Sequence, residues 1–168
     1  MRIKTDNSYL QLILNEYARV STKNIYVITS PNVTCLFWLK GLHKAKKIYA
    51  PRHIIRILSG LYAFRECCFY DIDLYGTPRS LVRALKYNVK KKTVTTNFSK
   101  IDDDIMNLSC HHMPINVAKE MGLNDRVIYA KISRIKKKLG VKSNIEYITA
   151  CLLRKKIMLE HYNATNNY

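Results

Sequence analysis

The segment from Asn124 to Gly140 carries a complete set of signals for one amphipathic helix, and it constrains the fold more than any other part of the chain. Asn124 is a favourable N-cap, and Asp125 places a negative charge in the first turn, where the helix dipole favours it. Gly140 can adopt the left-handed conformation that often ends a helix. Between these residues, apolar side chains recur at helical spacing and predict a buried stripe of Ile128, Ile132, Ile135 and Leu139.

The side of this helix opposite the stripe is basic and polar. At about 100° per residue, it carries an outward row of Arg126, Ala130, Ser133 and Lys137, with Tyr129 on its flank. Small residues stand between the long ones, so such a face can approach a groove closely.

A shorter helix is predicted just before it. Pro114 opens an apolar-periodic run that reaches Met121, and only Gly122, Leu123 and Asn124 separate the two helices. A short helix, a turn that contains Gly and a second basic helix together form a helix-turn-helix, the arrangement that places its second helix in the major groove of DNA.

Two further helices flank this pair. Ser99 and Asp102 predict a capping box at the start of one, and Ser143 and Glu146 predict a capping box at the start of the other. The last helix is predicted to end near Arg154–Lys156.

These residues resemble a known family. The stretch from Phe98 to about Leu152 is similar to the four-helix DNA-binding domain of the LuxR type, which the NarL/FixJ response regulators share. The matching motifs are Phe98-Ser99, Val117-Ala118, Met121-Gly122-Leu123-Asn124, Val127-Ile128 and Ile135-Lys136-Lys137-Lys138-Leu139-Gly140-Val141. The chain departs from the family pattern at His112, where the family has Gly, and at Val127, where it has Thr. One residue is also missing between His112 and Val117.

The resemblance implies roles for individual residues. Base-edge contacts would fall on Tyr129, Ala130 and Ser133. Phosphate contacts would fall on Lys131, Arg134 and the lysines that follow, Lys137 and Lys138 among them. The last helix would form a pairing surface for a dimer from Ile145, Ile148 and Leu152, although this stripe can also pack on its own domain. From its place on the outward row, Arg126 is the best candidate for reading guanine.

The charge of the chain favours the same class of partner. Residues 1–97 carry 17 Lys and Arg against 5 Asp and Glu, and residues 98–168 carry 12 against 7, which gives +12 and +5 of the total of +17. Such an excess predicts a polyanionic partner, with double-stranded DNA ahead of an anionic membrane. The helix-turn-helix leaves the more basic N-terminal part unexplained.

Residues 1–97 alternate short apolar runs with helical patterns, which predicts a parallel sheet with helices. Strands are expected at Ile25–Thr29, Lys46–Ala50 and Cys68–Ile72, and helices at Ser8–Val20, from Ser30 through Leu42, after Pro51, and from Arg79 to about Asn88. The order is similar to an incomplete receiver domain of a response regulator. Its few acids, Asp71 and Asp73 among them, do not suit the carboxylate cluster that a phosphoacceptor site needs, so we expect a degenerate, unphosphorylated domain.

The predicted fold class is therefore an α/β N-terminal domain, incomplete and receiver-like, joined to an all-α four-helix LuxR-type C-terminal domain. The predicted boundaries are 1–89 for the receiver-like domain, 90–97 for a linker, 98–160 for the helix-turn-helix domain and 161–168 for a tail.

Other classes find little support. Phosphate-binding loops, nucleophile elbows and dinucleotide fingerprints are absent from the sequence, so we expect no enzyme, no catalytic residues, no cofactor and no small-molecule substrate. Cys110, His111 and His112 match no zinc spacing, so no metal is expected. The cysteine count is odd and no C-x-x-C motif occurs, so we expect the five cysteines to be reduced thiols. The sequence shows neither a signal peptide nor an apolar run long enough to cross a membrane. We expect a cytoplasmic, nucleoid-associated bacterial protein.

Three functions remain open at this point. The chain can be a stand-alone DNA-binding activator or repressor that acts as a homodimer. It can be an auxiliary regulator that forms a heterodimer with a response regulator. It can also be a protein-interaction module without DNA binding, which the basic outward face disfavours.

Overall fold

A computed structural model describes residues 2–4, 24–30, 32–72, 77–87 and 96–166. Its sheet has four parallel strands, which lie side by side in chain order: β1 Arg2–Lys4, β2 Ile25–Ile28, β3 Lys47–Ala50 and β4 Cys68–Asp71. The parallel sheet and its last three strands are confirmed. β1 was not predicted, because three residues are too few to show a period.

The two faces of the sheet serve different cores. Tyr26, Ile28, Ile48, Ala50 and Phe69 belong to the main core, which also contains the C-terminal helices. The alternate residues Val27, Tyr49 and Tyr70 pack with Leu81 and Leu85 on the other face, and the rings of Tyr49 and Tyr70 stack at 4.5 Å between centroids. Because both faces of the sheet are covered, the strands show nearly continuous apolar sequences rather than an alternation of apolar and polar residues.

Two α-helices are described in the N-terminal part, α1 Arg52–Leu58 and α2 Pro78–Tyr87. Both agree with prediction. The helix predicted from Ser30 through Leu42 is wrong, since two short 3-10 helices, Val33–Trp38 and Leu42–Lys44, take its place. The run is rich in β-branched and aromatic residues, which favour α-helix weakly, and Gly41 turns into the left-handed region at φ 70°. A third 3-10 helix covers Tyr62–Phe64. The helix predicted at Ser8–Val20 lies outside the described residues.

The C-terminal part has the four predicted helices: α3 Lys100–Leu108, α4 Pro114–Met121, α5 Asp125–Leu139 and α6 Asn144–Asn166. α6 continues about ten residues beyond its predicted end near Arg154–Lys156, so most of the predicted tail at 161–168 is helical. Arg154–Lys156 resembles the basic last turn with which many helices end, so the predicted helix is shorter than α6. Instead, Ile157 is buried and extends the packing side of the helix. No helix in the described ranges is both long and apolar enough to cross a membrane.

A single apolar core joins the two parts of the chain, and Arg154 lies at their junction. Its side chain is 6% exposed. Nη1 donates to the carbonyl oxygens of Ile57 and Ser59 at 2.9 and 3.3 Å, and Nη2 donates to Oδ1 of Asp103 at 3.0 Å. The guanidinium also lies 4.6 Å from the centroid of the Phe98 ring. Arg154 thus supplies donors to the C-terminal end of α1 from a helix of the other part.

The predicted domain boundaries stay a prediction. Most of the predicted linker at 90–97 falls outside the described residues. The described end of this segment contacts the N-terminal part, because the backbone N–H of Thr96 donates to Oγ of Ser59 at 3.0 Å.

We expect Arg154→Ala to lower the free energy of unfolding by about 3 kcal/mol, because buried carbonyl oxygens lose their donor and an ion pair loses one partner. Urea denaturation followed by circular dichroism measures the loss. Arg65→Ala is the matched control, since Arg65 is exposed and lies 3.9 Å from an exposed Glu66 carboxylate. Arg65→Ala should lower the free energy of unfolding by less than about 0.5 kcal/mol. Equal losses in the two variants would contradict the junction role of Arg154.

Candidate nucleic-acid interface

The start and the end of α5 are fixed by the predicted caps. Oδ1 of Asn124 accepts from the backbone N–H of Arg126 at 2.9 Å. At the other end, Gly140 has φ 75° and its N–H donates to the carbonyls of Lys136 and Lys137, while the N–H of Val141 donates to Lys136. These contacts satisfy terminal groups that the helix leaves open. The predicted helix is confirmed.

The turn before α5 also has the predicted form. α4 begins at Pro114 and ends at Met121, and its C-cap Gly122 has φ 61°. The N–H of Leu123 donates to the carbonyl of Ala118 at 2.9 Å, closing the turn. Both predicted capping boxes are present, one between Ser99 and Asp102 and one between Ser143 and Glu146. The helix-turn-helix therefore has its short connection in place.

The two sides of α5 differ as predicted. The stripe of Ile128, Ile132, Ile135 and Leu139 is buried in the main core. The opposite side is exposed at Arg126, Tyr129, Ala130, Ser133, Arg134 and Lys137, and Lys131 is half-buried. The large side chain of Tyr129 belongs to this exposed side, and the residue is 57% exposed. The described N-terminal part therefore leaves the outward row open to a partner.

Lys138 has an internal role that the sequence did not reveal. Its Nζ lies 2.7 Å from Oδ2 of Asp102, whose side chain is 7% exposed, and it also donates to the carbonyl of Asn97 at 3.4 Å. Burial alone raises the pKa of the Asp102 carboxyl, but hydrogen bonds from Lys138 and Ser99 outweigh it and hold the pKa below its usual range. Lys138 thereby links α5 to α3, and its role as a DNA contact stays a prediction.

The predicted pairing residues lie on the exposed side of α6. Ile145 is 80% and Leu152 is 38% exposed, while Ile148 is half-buried. The exposed apolar series continues at Leu159 and Tyr162, beyond the predicted end of the helix. The other side of α6 packs on its own chain through Tyr147, Ala150, Leu153 and Ile157. One helix thus carries an internal packing side and an apolar seam, which we define as Ile145, Ile148, Leu152, Leu159 and Tyr162. The seam is exposed except at Ile148, which packs partly against the main core.

The remaining polar candidates have other partners. Nε2 of His111 lies 2.7 Å from Nζ of Lys155, and Nε2 of His112 lies 3.1 Å from Oε1 of Glu120. No group of three metal-ligating side chains occurs in the described ranges. Burial raises the pKa of Cys67 and Cys151 to about 12, so these thiols stay protonated at neutral pH.

The sheet does not supply an acidic pocket in its described part. Receiver domains reverse their strand order once, and ligands bind at that switch point. The four described strands follow chain order without such a reversal. Asp71 is buried at the end of β4, and Asp73 lies outside the described residues.

No protein-family model and no curated protein matches the chain. Among solved structures, it is similar to a chain titled "Structure of two RcsB dimers bound to two parallel DNAs". The match covers 83% of this chain and 80% of that one, with 15% identity and a TM-score of 0.41. The DNA and the dimers in that title belong to that protein.

Two neighbouring lysines give a test of the internal assignment. Lys138→Met should lower the free energy of unfolding by about 1–3 kcal/mol at neutral pH, because it leaves a buried carboxylate without its cation. Lys137→Met should leave it unchanged, because Lys137 is exposed.

The pH dependence sharpens this test. The folded pKa of Asp102 is lowered, so its stabilisation is complete above the ordinary aspartate value of about 3.9 and disappears as the pH falls through the lowered value. The gap between wild type and Lys138→Met should therefore close in acid. Urea denaturation over a pH series measures it, and a gap that stays constant into acid would refute the pairing.

Proposed function

We propose that this chain is a sequence-specific, DNA-binding transcription regulator that inserts α5 into the major groove. One observation carries the proposal: the outward row is basic and exposed, on a capped helix whose opposite side is fully packed. A helix held in this way presents fixed side chains to a partner, and the major groove is wide enough to admit it.

The exposed side chains suit distinct contacts. Arg126 can donate two hydrogen bonds to guanine, Tyr129 and Ala130 can contact thymine methyl groups, and Ser133 can bond to more than one base. Lys131, Arg134 and Lys137 would neutralise phosphates, which fixes orientation and supplies most of the sequence-independent affinity. Lys138 is left out of this set because its ammonium group pairs with Asp102.

The proposed activity does not depend on phosphorylation. In the described N-terminal part, the carboxylates are the exposed Glu66, beside Arg65, and the buried Asp71. Two separate acids do not make the cluster that holds a divalent cation beside a phosphoacceptor.

Dimerisation through α6 completes the proposal, because one helix-turn-helix covers few base pairs. Pairing of two seams would place the recognition helices on half-sites about one helical turn, or about 10 base pairs, apart. Ile145, Leu152 and Leu159 recur every seven residues along the exposed side, which is the repeat of helices that pack against one another.

Separate substitutions distinguish base from phosphate contacts. Arg134→Ala and Lys131→Ala should each weaken binding alike on all duplexes and lower the slope of log affinity against log salt by about 0.9. Tyr129→Ala should instead change which sequences are preferred. Selection from a random duplex library, followed by fluorescence anisotropy at several salt concentrations, measures both effects. If all three variants lose affinity equally and keep one preference, the base-contact assignment is wrong.

The seam has its own test. Leu152→Glu should convert a dimer into a monomer, because it buries a carboxylate in an apolar contact. Asn116→Glu adds the same charge at an exposed position of α4 and should leave the dimer intact. Size-exclusion chromatography with light scattering reports the mass. A wild-type dimer that survives Leu152→Glu would place the pairing surface elsewhere.

A second candidate function rests on a different surface. Met113 and Ile115 at the start of α4, and Leu123 and Val127 beside the turn before α5, are apolar and exposed. A cleft of about 440 Å³ is lined in part by Met113, Tyr129 and Ile148. Exposed apolar residues of this kind are typical of a protein–protein contact, as an auxiliary regulator that pairs with a response regulator would need. A wild-type monomer with only sequence-blind DNA binding would support that candidate over the first.

A further inference from the structure

The excess positive charge of the N-terminal part raises a question that α5 does not answer. Residues 1–97 hold 17 Lys and Arg, yet the helix-turn-helix lies beyond them. Two of these residues, Arg52 and Arg56, stand four apart on α1, so they share one side of that helix. Ile54, Ile55 and Leu58 of α1 are buried in the main core.

α1 lies at the C-terminal end of the recognition helix. Nη1 of Arg56 is 3.2 Å from the position that a Cβ would occupy at Gly140, and Cδ of Arg56 is 3.5 Å from it. Gly140 is the C-cap of α5, and Lys137 of the outward row lies within the last turn before it. The Arg56 guanidinium therefore lies beside the C-terminal end of α5.

Neither arginine side chain has an ion pair or a hydrogen bond with a residue of the described ranges. Arg52 is exposed and Arg56 is half-buried. Glu146 lines a cleft of about 550 Å³ with His53 and Gly140, but its carboxylate accepts from the N–H groups of Lys142 and Ser143 at 2.7 and 3.2 Å. The donors of both guanidinium groups are therefore available to an anion.

The length of α5 indicates which anion. Fifteen residues span about 22 Å, whereas the major groove is about 12 Å wide. If the N-terminal turns of α5 reach base edges, its C-terminal end extends to the phosphates that border the groove. A guanidinium at that end has the fork of donors that binds phosphate oxygens.

We propose that Arg52 and Arg56 bind DNA phosphates, so that the DNA-binding surface extends from the helix-turn-helix onto the N-terminal part. This inference rests on the proposed function. Arg154 supports it structurally, because its bonds to the carbonyls of Ile57 and Ser59 hold the end of α1 against the C-terminal helices. The arginine pair is thereby presented at a fixed place relative to α5.

The test measures binding of the full chain to a fluorescein-labelled duplex of random sequence, about 30 base pairs long, from about 50 to 200 mM salt. Two lost phosphate contacts should lower the slope of log affinity against log salt by about 1.8 in Arg52→Ala/Arg56→Ala. Selection from the random duplex library should return the wild-type preferred sequence, because phosphates carry no sequence information. The charge-preserving Arg52→Lys/Arg56→Lys should recover most of the slope.

The matched control is Arg79→Ala/Arg83→Ala. These two exposed arginines are also four residues apart on a helix, but α2 packs on the other face of the sheet. At these salt concentrations charges more than about 10 Å away are largely screened, so the control should keep the wild-type slope. Equal slopes for the two alanine pairs would overturn the inference.

The outcomes separate this inference from the proposed function. If Arg134→Ala lowers the slope and Arg52→Ala/Arg56→Ala does not, only the inference fails. If the wild-type chain shows no salt-dependent binding to any duplex, the proposed function fails with it. Urea denaturation of each variant excludes unfolding as the cause of a loss.

Discussion

Four apolar side chains buried on one side of α5 fix the orientation of that helix. Ile128, Ile132, Ile135 and Leu139 are held in the main core, so the helix cannot rotate about its axis without exposing them. Each such exposure would cost about 2 kcal/mol. The rotation of α5 in turn decides that Tyr129, Ser133 and Arg134 face outward. The chemistry of the surface is therefore fixed by the packing beneath it.

The same core ties the two parts of the chain together. One face of the parallel sheet, α1 and the C-terminal helices share a single apolar cluster. Arg154 adds polar contacts across this junction, and Lys138 pairs with Asp102 close to it. Phe98 lies between these two cations, 4.6 Å from Arg154 and 5.5 Å from Lys138 as measured to its ring centroid. A partner that binds α5 therefore meets a surface whose position relative to α1 is set.

Much of the fold was predictable because its signals are local. The caps at Asn124 and Gly140 and the turn at Gly122 depend on residues within five positions of each other. The apolar runs of β2 and β4 are likewise short and continuous. Prediction failed where the local pattern was ambiguous, as in the 3-10 segment Val33–Trp38, or where a basic cluster resembled a helix end, as at Arg154–Lys156. β1 has three residues and offers no period to detect.

The two unlike sides of α5, and the residues on each, follow from the sequence alone because a helix turns by a constant angle per residue. Which cations remain without an internal partner depends instead on how distant segments pack. Lys137 and Lys138 are adjacent in sequence, yet one faces solvent and the other pairs with a buried carboxylate 36 residues away. Arg154 meets a carbonyl 97 residues away, and Arg56 reaches Gly140 across the same junction. Such contacts arise from the packing of distant segments, for which no local pattern exists.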